Sequence, residues 1–157
     1  MKQILDAACG SKMFWYDRDN ENVLFVDNRS VTDTLCDGRK LVIKPDVVAD
    51  FTKLPFEDGT FRLVVFDPPH LLRIGETSWM AKKYGKLPED WQSLIKQGFT
   101  ECFRVLQPFG VLAFKWSSEQ IPHAQVLKLA PEPPMFGDRR GKTRWTMFVK
   151  GARENGQ

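Results

Sequence analysis

The fold turns on Phe61-Arg62-Leu63-Val64-Val65-Phe66-Asp67-Pro68-Pro69-His70. The first six residues are mostly β-branched or aromatic, types that fit a pleated, buried surface. The run is too short for a typical helix and reads as a strand over 61–66. Two consecutive prolines then remove two N–H donors and fix two φ angles. Each also pushes the residue before it out of the helical region. The chain therefore leaves the strand stiff and extended. The Asp67 carboxylate and the Pro68 carbonyl become neighbouring acceptors at the strand tip. Such a pair suits a planar amino group, which has two hydrogens to donate.

On both sides of this stretch, short apolar runs alternate with loops and helical patterns. That alternation predicts an α/β fold with a mainly parallel sheet. Upstream, Gln3-Ile4-Leu5-Asp6-Ala7 reads as the first strand, residues 22–27 as the second and residues 47–50 as a short third. Residues 12–17 predict a short helix. Residues 28–45 read as irregular, with a turn at Cys36-Asp37-Gly38. Residues 54–60 read as a loop. Downstream, residues 71–88 contain Gly75, Gly85 and Pro88 and read as a mobile loop. The clearest helix covers 89–106, with Trp91, Leu94, Ile95, Phe99, Cys102, Val105 and Leu106 at helical spacing. Pro108 and Gly110 are its expected stop. Residues 111–116 make the fifth strand, and 119–129 a weaker helix. The end reads as a hairpin of 135–137 with 145–149 around a basic loop.

In open α/β sheets, ligands bind at the carboxyl ends of the strands. Three predicted strands end in an acid here: Asp27, Asp50 and Asp67. The first ends in Ala7-Ala8-Cys9-Gly10, where a glycine lets the backbone approach a ligand closely. The full GxGxxG fingerprint is absent, and Gly10 alone fits an ordinary turn equally well. Asp6 sits where it could brace that loop or meet a ligand amine. Cys9 reads as a packed residue rather than a nucleophile. Asp27 follows Asp6 by 21 positions, close to the spacing at which an acid holds a ribose diol. Asp50 could accept from an adenine amino group with Phe51 covering the ring, or simply cap a turn.

The bulk composition bounds the rest. A chain of 157 residues with 42% hydrophobic and 27% charged content suits a minimal single domain over 1–157. A net charge of +3 neither demands nor excludes nucleic acid. No apolar stretch is long enough to span a bilayer. Asp6 and the lack of an apolar run before it argue against a signal peptide. Three cysteines without a CxxC pair predict reduced thiols and a cytoplasmic location. His70 and His123 are far apart and not at ligand spacing from a cysteine, so no metal is expected.

Taken together, these residues resemble the class I S-adenosylmethionine-dependent methyltransferases, over nearly the whole chain. Ile4-Leu5-Asp6-Ala7-Ala8-Cys9-Gly10 looks like that family's first motif, with Ala8 at its usual first glycine. Asp27, with Asn28 beside it, matches the acid that binds the cofactor ribose. Asp50-Phe51 and the loop after it look like the adenine-contacting segment. Leu106-Gln107-Pro108-Phe109-Gly110-Val111-Leu112 resembles the approach to strand five. The resemblance implies a Rossmann-like three-layer sandwich. Its seven-stranded sheet would have the order 3-2-1-4-5-7-6, with strand seven antiparallel.

Asp67-Pro68-Pro69-His70 is similar to the catalytic motif of the DPPY/DPPW-type amino-methyltransferases. His70 stands where they usually carry Tyr, Trp or Phe. The resemblance implies S-adenosyl-L-methionine as cofactor, and an exocyclic amino group of a nucleobase, adenine N6 or similar, as target. DNA or RNA would then be the partner, met through Lys82, Lys83, Tyr84 and Lys86 or through Arg139, Arg140, Lys142, Arg144 and Lys150. Two competing expectations are a protein or small-molecule substrate, and a non-catalytic cofactor-binding subunit completed by a second copy or a partner subunit. A Rossmann dehydrogenase would also hold a ribose with Asp27, but lacks both its fingerprint and a use for Asp-Pro-Pro.

Overall fold

Phe61, Val64 and Phe66 are fully buried, and they drive a strand over Phe61–Phe66 (β6). A strand apolar on both faces belongs in the interior of a parallel sheet covered on both sides. In the computed structural model, which describes residues 1–75 and 78–153, β6 lies between β1 (Ile4–Asp6) and β7 (Leu106–Ser117). Both pair with it in parallel. Beyond β1 come β2 (Val23–Asp27) and β5 (Val47–Val48), again parallel. Beyond β7 come β9 (Thr143–Val149) and β8 (Phe136–Gly137), joined antiparallel. The order across the seven-stranded sheet is β5-β2-β1-β6-β7-β9-β8. Numbered along the chain within this sheet alone, that is 3-2-1-4-5-7-6, with the seventh strand antiparallel. The expected Rossmann-like α/β sheet is therefore present.

The core lies between this sheet and helix α2 (Trp91–Val105). Ile95, Phe99, Cys102 and Val105 are fully buried. Phe99 is the hub, with ring centroids 4.7 Å from Phe114, 5.6 Å from Phe66 and 5.7 Å from Phe148. Each such side chain contributes about 1.5–3 kcal/mol by leaving water. On the other face, Cys9, Val23 and Phe25 pack with Ile4 and Trp15. That layer is built from the irregular chain between β1 and β2. Short helix α3 (His123–Leu127) buries Val126 in the main core.

Four elements differ from expectation. Residues 12–17 are turns, because Lys12 adopts φ +58°, a conformation that cannot begin an α-helix. Residues 28–45 contain a hairpin, β3 (Val31–Thr34) and β4 (Lys40–Ile43), closed by the expected turn at Cys36-Asp37-Gly38. Leu41 and Ile43 are buried with Leu35 while Val42 faces out. Residues 71–88 include helix α1 (Trp79–Tyr84), capped by the Ser78 hydroxyl accepting from Met80 N–H. Glu76 and Thr77 lie outside the described residues. Finally, α2 stops before Pro108: Leu106 turns extended, with ψ 139°, and opens β7 directly. A bulge follows at Phe109, φ +60°. Gly110 has the Gln107 and Arg62 carbonyl oxygens and the Leu106 side chain within 3.1 Å of where a Cβ would stand.

Candidate functional site

β1 has β2 on one side and β6 on the other, so the chain order reverses there. In such sheets a crevice opens at the carboxyl ends of the strands at this point. A cavity of about 340 Å³ occupies it, within the range of ligand sites. Ala7, Ala8, Cys9 and Gly10 line it from the tip of β1, and Asp27 and Asn28 from the tip of β2. Phe51 lines it from the turn after β5, and Asp67, Pro68, Pro69 and His70 from the tip of β6. These expected site residues therefore share one cavity.

Asp6 and Asp50 do not line it. Asp6 is fully buried. One of its oxygens accepts from the Trp15 indole N–H at 2.7 Å, the other from Ala8 N–H at 3.2 Å. It braces the loop. Burial raises its pKa to about 7, against the pull of those two donors. Asp50 is exposed, and one of its oxygens accepts from both the Thr52 backbone N–H and hydroxyl. It makes a turn.

Asp27 is buried at the bottom of the β2 tip. Its Oδ2 accepts from Gly10 N–H at 2.9 Å, and its Oδ1 from Arg29 N–H at 3.0 Å. A carboxylate has about four lone-pair sites, so hydroxyls can still join. Gly10 has φ +50°, with no atom within 4 Å of where a Cβ would be. The backbone there faces open space. Burial also holds the Cys9 thiol protonated, so it carries no nucleophile.

At the β6 tip, burial raises the Asp67 pKa to about 6, and the nearby Lys115 ammonium pulls it down. Burial lowers the His70 pKa, and the Lys115 charge adds to that. His70 is therefore neutral at pH 7. Its ring stands 6.3 Å from Tyr84 and 6.2 Å from Trp116.

Two lining residues, Phe14 and Lys115, escaped the reading of the sequence. Phe14 comes from the turn after β1, and Lys115 from β7. Lys115 follows Phe114, which is in register with Phe66, so it stands level with Asp67. A lone lysine in an otherwise apolar strand was the available signal. Lys83, Tyr84 and Lys86, expected from the sequence as a nucleic-acid contact, line the cavity as well, from α1 and just after it. The hairpin holds α1 in place: Lys82 pairs with Asp33 at 3.2 Å, and Arg29 donates to the Lys82 carbonyl at 2.6 Å. Arg29 also reaches Asp27 at 3.4 Å, which links α1 to the tip of β2.

Among the described residues, no cluster of three or more His, Cys, Asp or Glu side chains could hold a metal ion. No helix among them is long and apolar enough to cross a membrane.

No protein-family model matches the chain, and no curated protein matches it. Solved structures do. A TehB-like SAM-dependent methyltransferase from Corynebacterium glutamicum aligns with TM-score 0.62 at 16% identity, over 95% of this chain and 80% of that one. The 1,6-didemethyltoxoflavin-N1-methyltransferase of Burkholderia thailandensis, solved with 1,6-didemethyltoxoflavin and S-adenosylhomocysteine, aligns with TM-score 0.54 at 12% identity, over 95% and 72%. A chain from a Haloferax volcanii complex that includes the Trm112 methyltransferase activator aligns with TM-score 0.56 at 15% identity, over 95% and 82%. At these identities the likeness is one of fold. The chain has the class I S-adenosylmethionine-dependent methyltransferase fold.

Proposed function

We propose that residues 1–157 form one methyltransferase domain that uses S-adenosylmethionine to methylate an exocyclic amino group of a nucleobase in DNA or RNA. Adenine N6 is the leading target. The observation that carries this is the meeting of Gly10, Asp27 and Phe51 with Asp67-Pro68-Pro69-His70 in one cavity. The residues fit the cofactor. Gly10 leaves open space for a ligand over its backbone, and Asp27 has acceptor capacity for ribose hydroxyls. Phe51 packs edge-on against Phe66 at 5.0 Å, seated to cover a flat ring. When bound, S-adenosylmethionine supplies a methyl group already activated by its sulfonium charge.

The protein's task is then positioning. Asp67 accepts one amino N–H and the Pro68 carbonyl the other. Together they turn the nitrogen lone pair out of conjugation with its ring. These bonds strengthen as the nitrogen becomes positive, so they favour the transition state over the ground state. Asp67 is also placed to take the proton that the nitrogen loses. Neutral His70 offers a flat face for the base.

The basic segments support a polyanion. Lys83 and Lys86 stand at the cavity rim. The β8–β9 turn with Arg139 and Arg140 lies at the same end of the sheet, since Thr143 pairs with Ser117 at the end of β7. A base in a duplex would have to be extruded, so single strands are the simpler substrate. The unpaired cysteines support a cytoplasmic setting. A partner chain is a second reading, favoured by the irregular layer opposite α2 and by exposed Met135 and Phe136.

The test is methyl transfer from labelled S-adenosylmethionine to single-stranded oligonucleotides by the purified chain. Asp67→Ala should lower turnover by at least a hundredfold while affinity for S-adenosylhomocysteine stays within about threefold. Unchanged turnover in that variant would remove the catalytic role of Asp67.

A further inference from the structure

Among the described residues, Lys115 is the one cation within hydrogen-bond reach of Asp67. Its Nζ lies 3.5 Å from Asp67 Oδ2. It also lies 5.2 Å from the Phe14 ring centroid and 6.0 Å from that of Trp145. The two rings meet edge to face at 5.2 Å. β7 fixes this placement, because Lys115 is in register with Trp145 on β9. The side chain is about one quarter exposed, as is that of Asp67, and both line the cavity.

An ammonium has three N–H donors and no acceptor. Among the described residues Asp67 is its one hydrogen-bond acceptor, at the outer limit of distance, and the aromatic faces hold its charge without hydrogen bonds. At least one donor is thus free to point into the cavity beside a carboxylate that also faces it. A donor and an acceptor side by side are complementary to one particular edge. That edge has an amino group and an unprotonated ring nitrogen on the same carbon, N=C–NH₂. Adenine and cytosine present it on their pairing edge, and guanine on its N3 side. Uracil and thymine present the reverse, a carbonyl beside a ring N–H.

We propose that Lys115 is a specificity-determining residue that donates to the ring nitrogen flanking the amino group held by Asp67. This rests on the nucleobase reading above. It narrows the substrate to bases with the N=C–NH₂ edge. The contact exists before reaction and does not follow the charge that develops on the amino nitrogen. It therefore belongs to binding rather than to turnover.

The experiment compares oligonucleotides carrying a single adenine with the same strands carrying 1-deazaadenine, which keeps the amino group and loses the ring nitrogen. Binding is read by fluorescence anisotropy with S-adenosylhomocysteine present, and transfer by labelled cofactor. The wild-type protein should bind the adenine strand roughly tenfold more tightly than the deaza strand. Lys115→Met should weaken adenine binding by a similar factor, bring the two strands level and raise KM, with kcat within about threefold when compared at about pH 8.5, where loss of the charge that holds the Asp67 pKa down has least effect. Lys115→Arg, which keeps donors at that place, should retain part of the preference. Urea melts of each variant report that it is folded. A preference for adenine that survives in Lys115→Met would overturn this proposal and leave the nucleobase reading intact. If the wild-type protein methylates no amino base in any strand, both fall together.

Discussion

A carboxylate that accepts from an amino group must be ionised to do it well. Burial raises Asp67 to about pKa 6, so below that pH it is increasingly protonated and loses acceptor capacity. The rate should fall about tenfold per pH unit below pH 6 and level off above it. His70 also titrates below its ordinary value, and buried Asp6 lies nearby, so the limb needs assigning. Asp67→Asn keeps an acceptor oxygen that does not titrate. Its weaker activity should be flat between pH 5 and 7. A surviving limb in that variant would move the assignment to another group. Asp6 makes a separate prediction, on stability. Its folded pKa of about 7 lies above the ordinary carboxyl value of 3.8. A raised carboxyl favours folding below the unfolded pKa, and that advantage is lost as pH rises through 7. The Trp15 bond offsets the loss by stabilising the ionised form. Trp15→Phe should therefore destabilise by about 1–3 kcal/mol, more at pH 8 than at pH 5, as urea melts at the two values would record.

Elements carry these residues to the site with different degrees of freedom. Phe51 sits in a turn, and its ring position depends on α2. A Cβ on Gly98 would come within 2.6 Å of the Phe66 ring and 2.9 Å of the Phe51 ring. Alanine would gain up to about 1 kcal/mol of helix propensity there. Overpacking would cost about 1–3 kcal/mol. Gly98→Ala should thus lower stability slightly and weaken S-adenosylhomocysteine binding severalfold as Phe51 is displaced, measured by calorimetry. Binding at wild-type strength would mean the ring has no part in the pocket. The elements also mark what the sequence made legible. β6 and α2 were readable because burial dictates their periodicity over six and fifteen residues. The β3–β4 hairpin was hidden because β3 buries no residue and β4 only Leu41 and Ile43, too few to leave a periodic trace. Helix α1 buries no residue at all; it is held by the Ser78 cap, Asp33 and Arg29. Such partners are distant in sequence and leave no periodic trace. For the same reason Lys115 and Phe14 were missed, while Asp27 and Asp67 announced themselves as acids ending apolar strands. Asp6 and Asp50 sit at strand tips too, yet local donors turn both away from the cavity.

The whole molecule depends on keeping the strand tips level, and the end of the sheet far from the cavity has its own fastening. Arg104, in the last turn of α2, donates to Glu101 Oε2 at 2.6 Å, Phe56 O at 2.7 Å, Leu54 O at 2.9 Å and Asp58 Oδ1 at 2.9 Å. Glu101, itself buried, accepts from Leu54 N–H at 2.9 Å. One guanidinium thus ties the loop between β5 and β6 to the helix that covers the sheet. Arg104 holds the Glu101 pKa below its ordinary value, against burial. A lowered carboxyl contributes stability above the unfolded pKa and loses it as pH falls through the folded one. Removing the guanidinium leaves the buried Glu101 carboxylate with only the Leu54 N–H and takes a donor from the Leu54 and Phe56 carbonyls, which costs about 3–5 kcal/mol for a buried pair and less for one partly exposed. Arg104→Ala should therefore destabilise by about 2–4 kcal/mol at pH 7 in urea melts, with a smaller difference near pH 3. Arg104→Lys should recover only part of the loss, since a point charge cannot reach four acceptors on two sides. In the folded fraction, the affinity for S-adenosylhomocysteine should stay within about threefold of wild type, because the cluster lies away from the cavity. A tenfold loss of affinity at full folding would instead show that the loop from Leu54 to Asp58 transmits its position to Phe51.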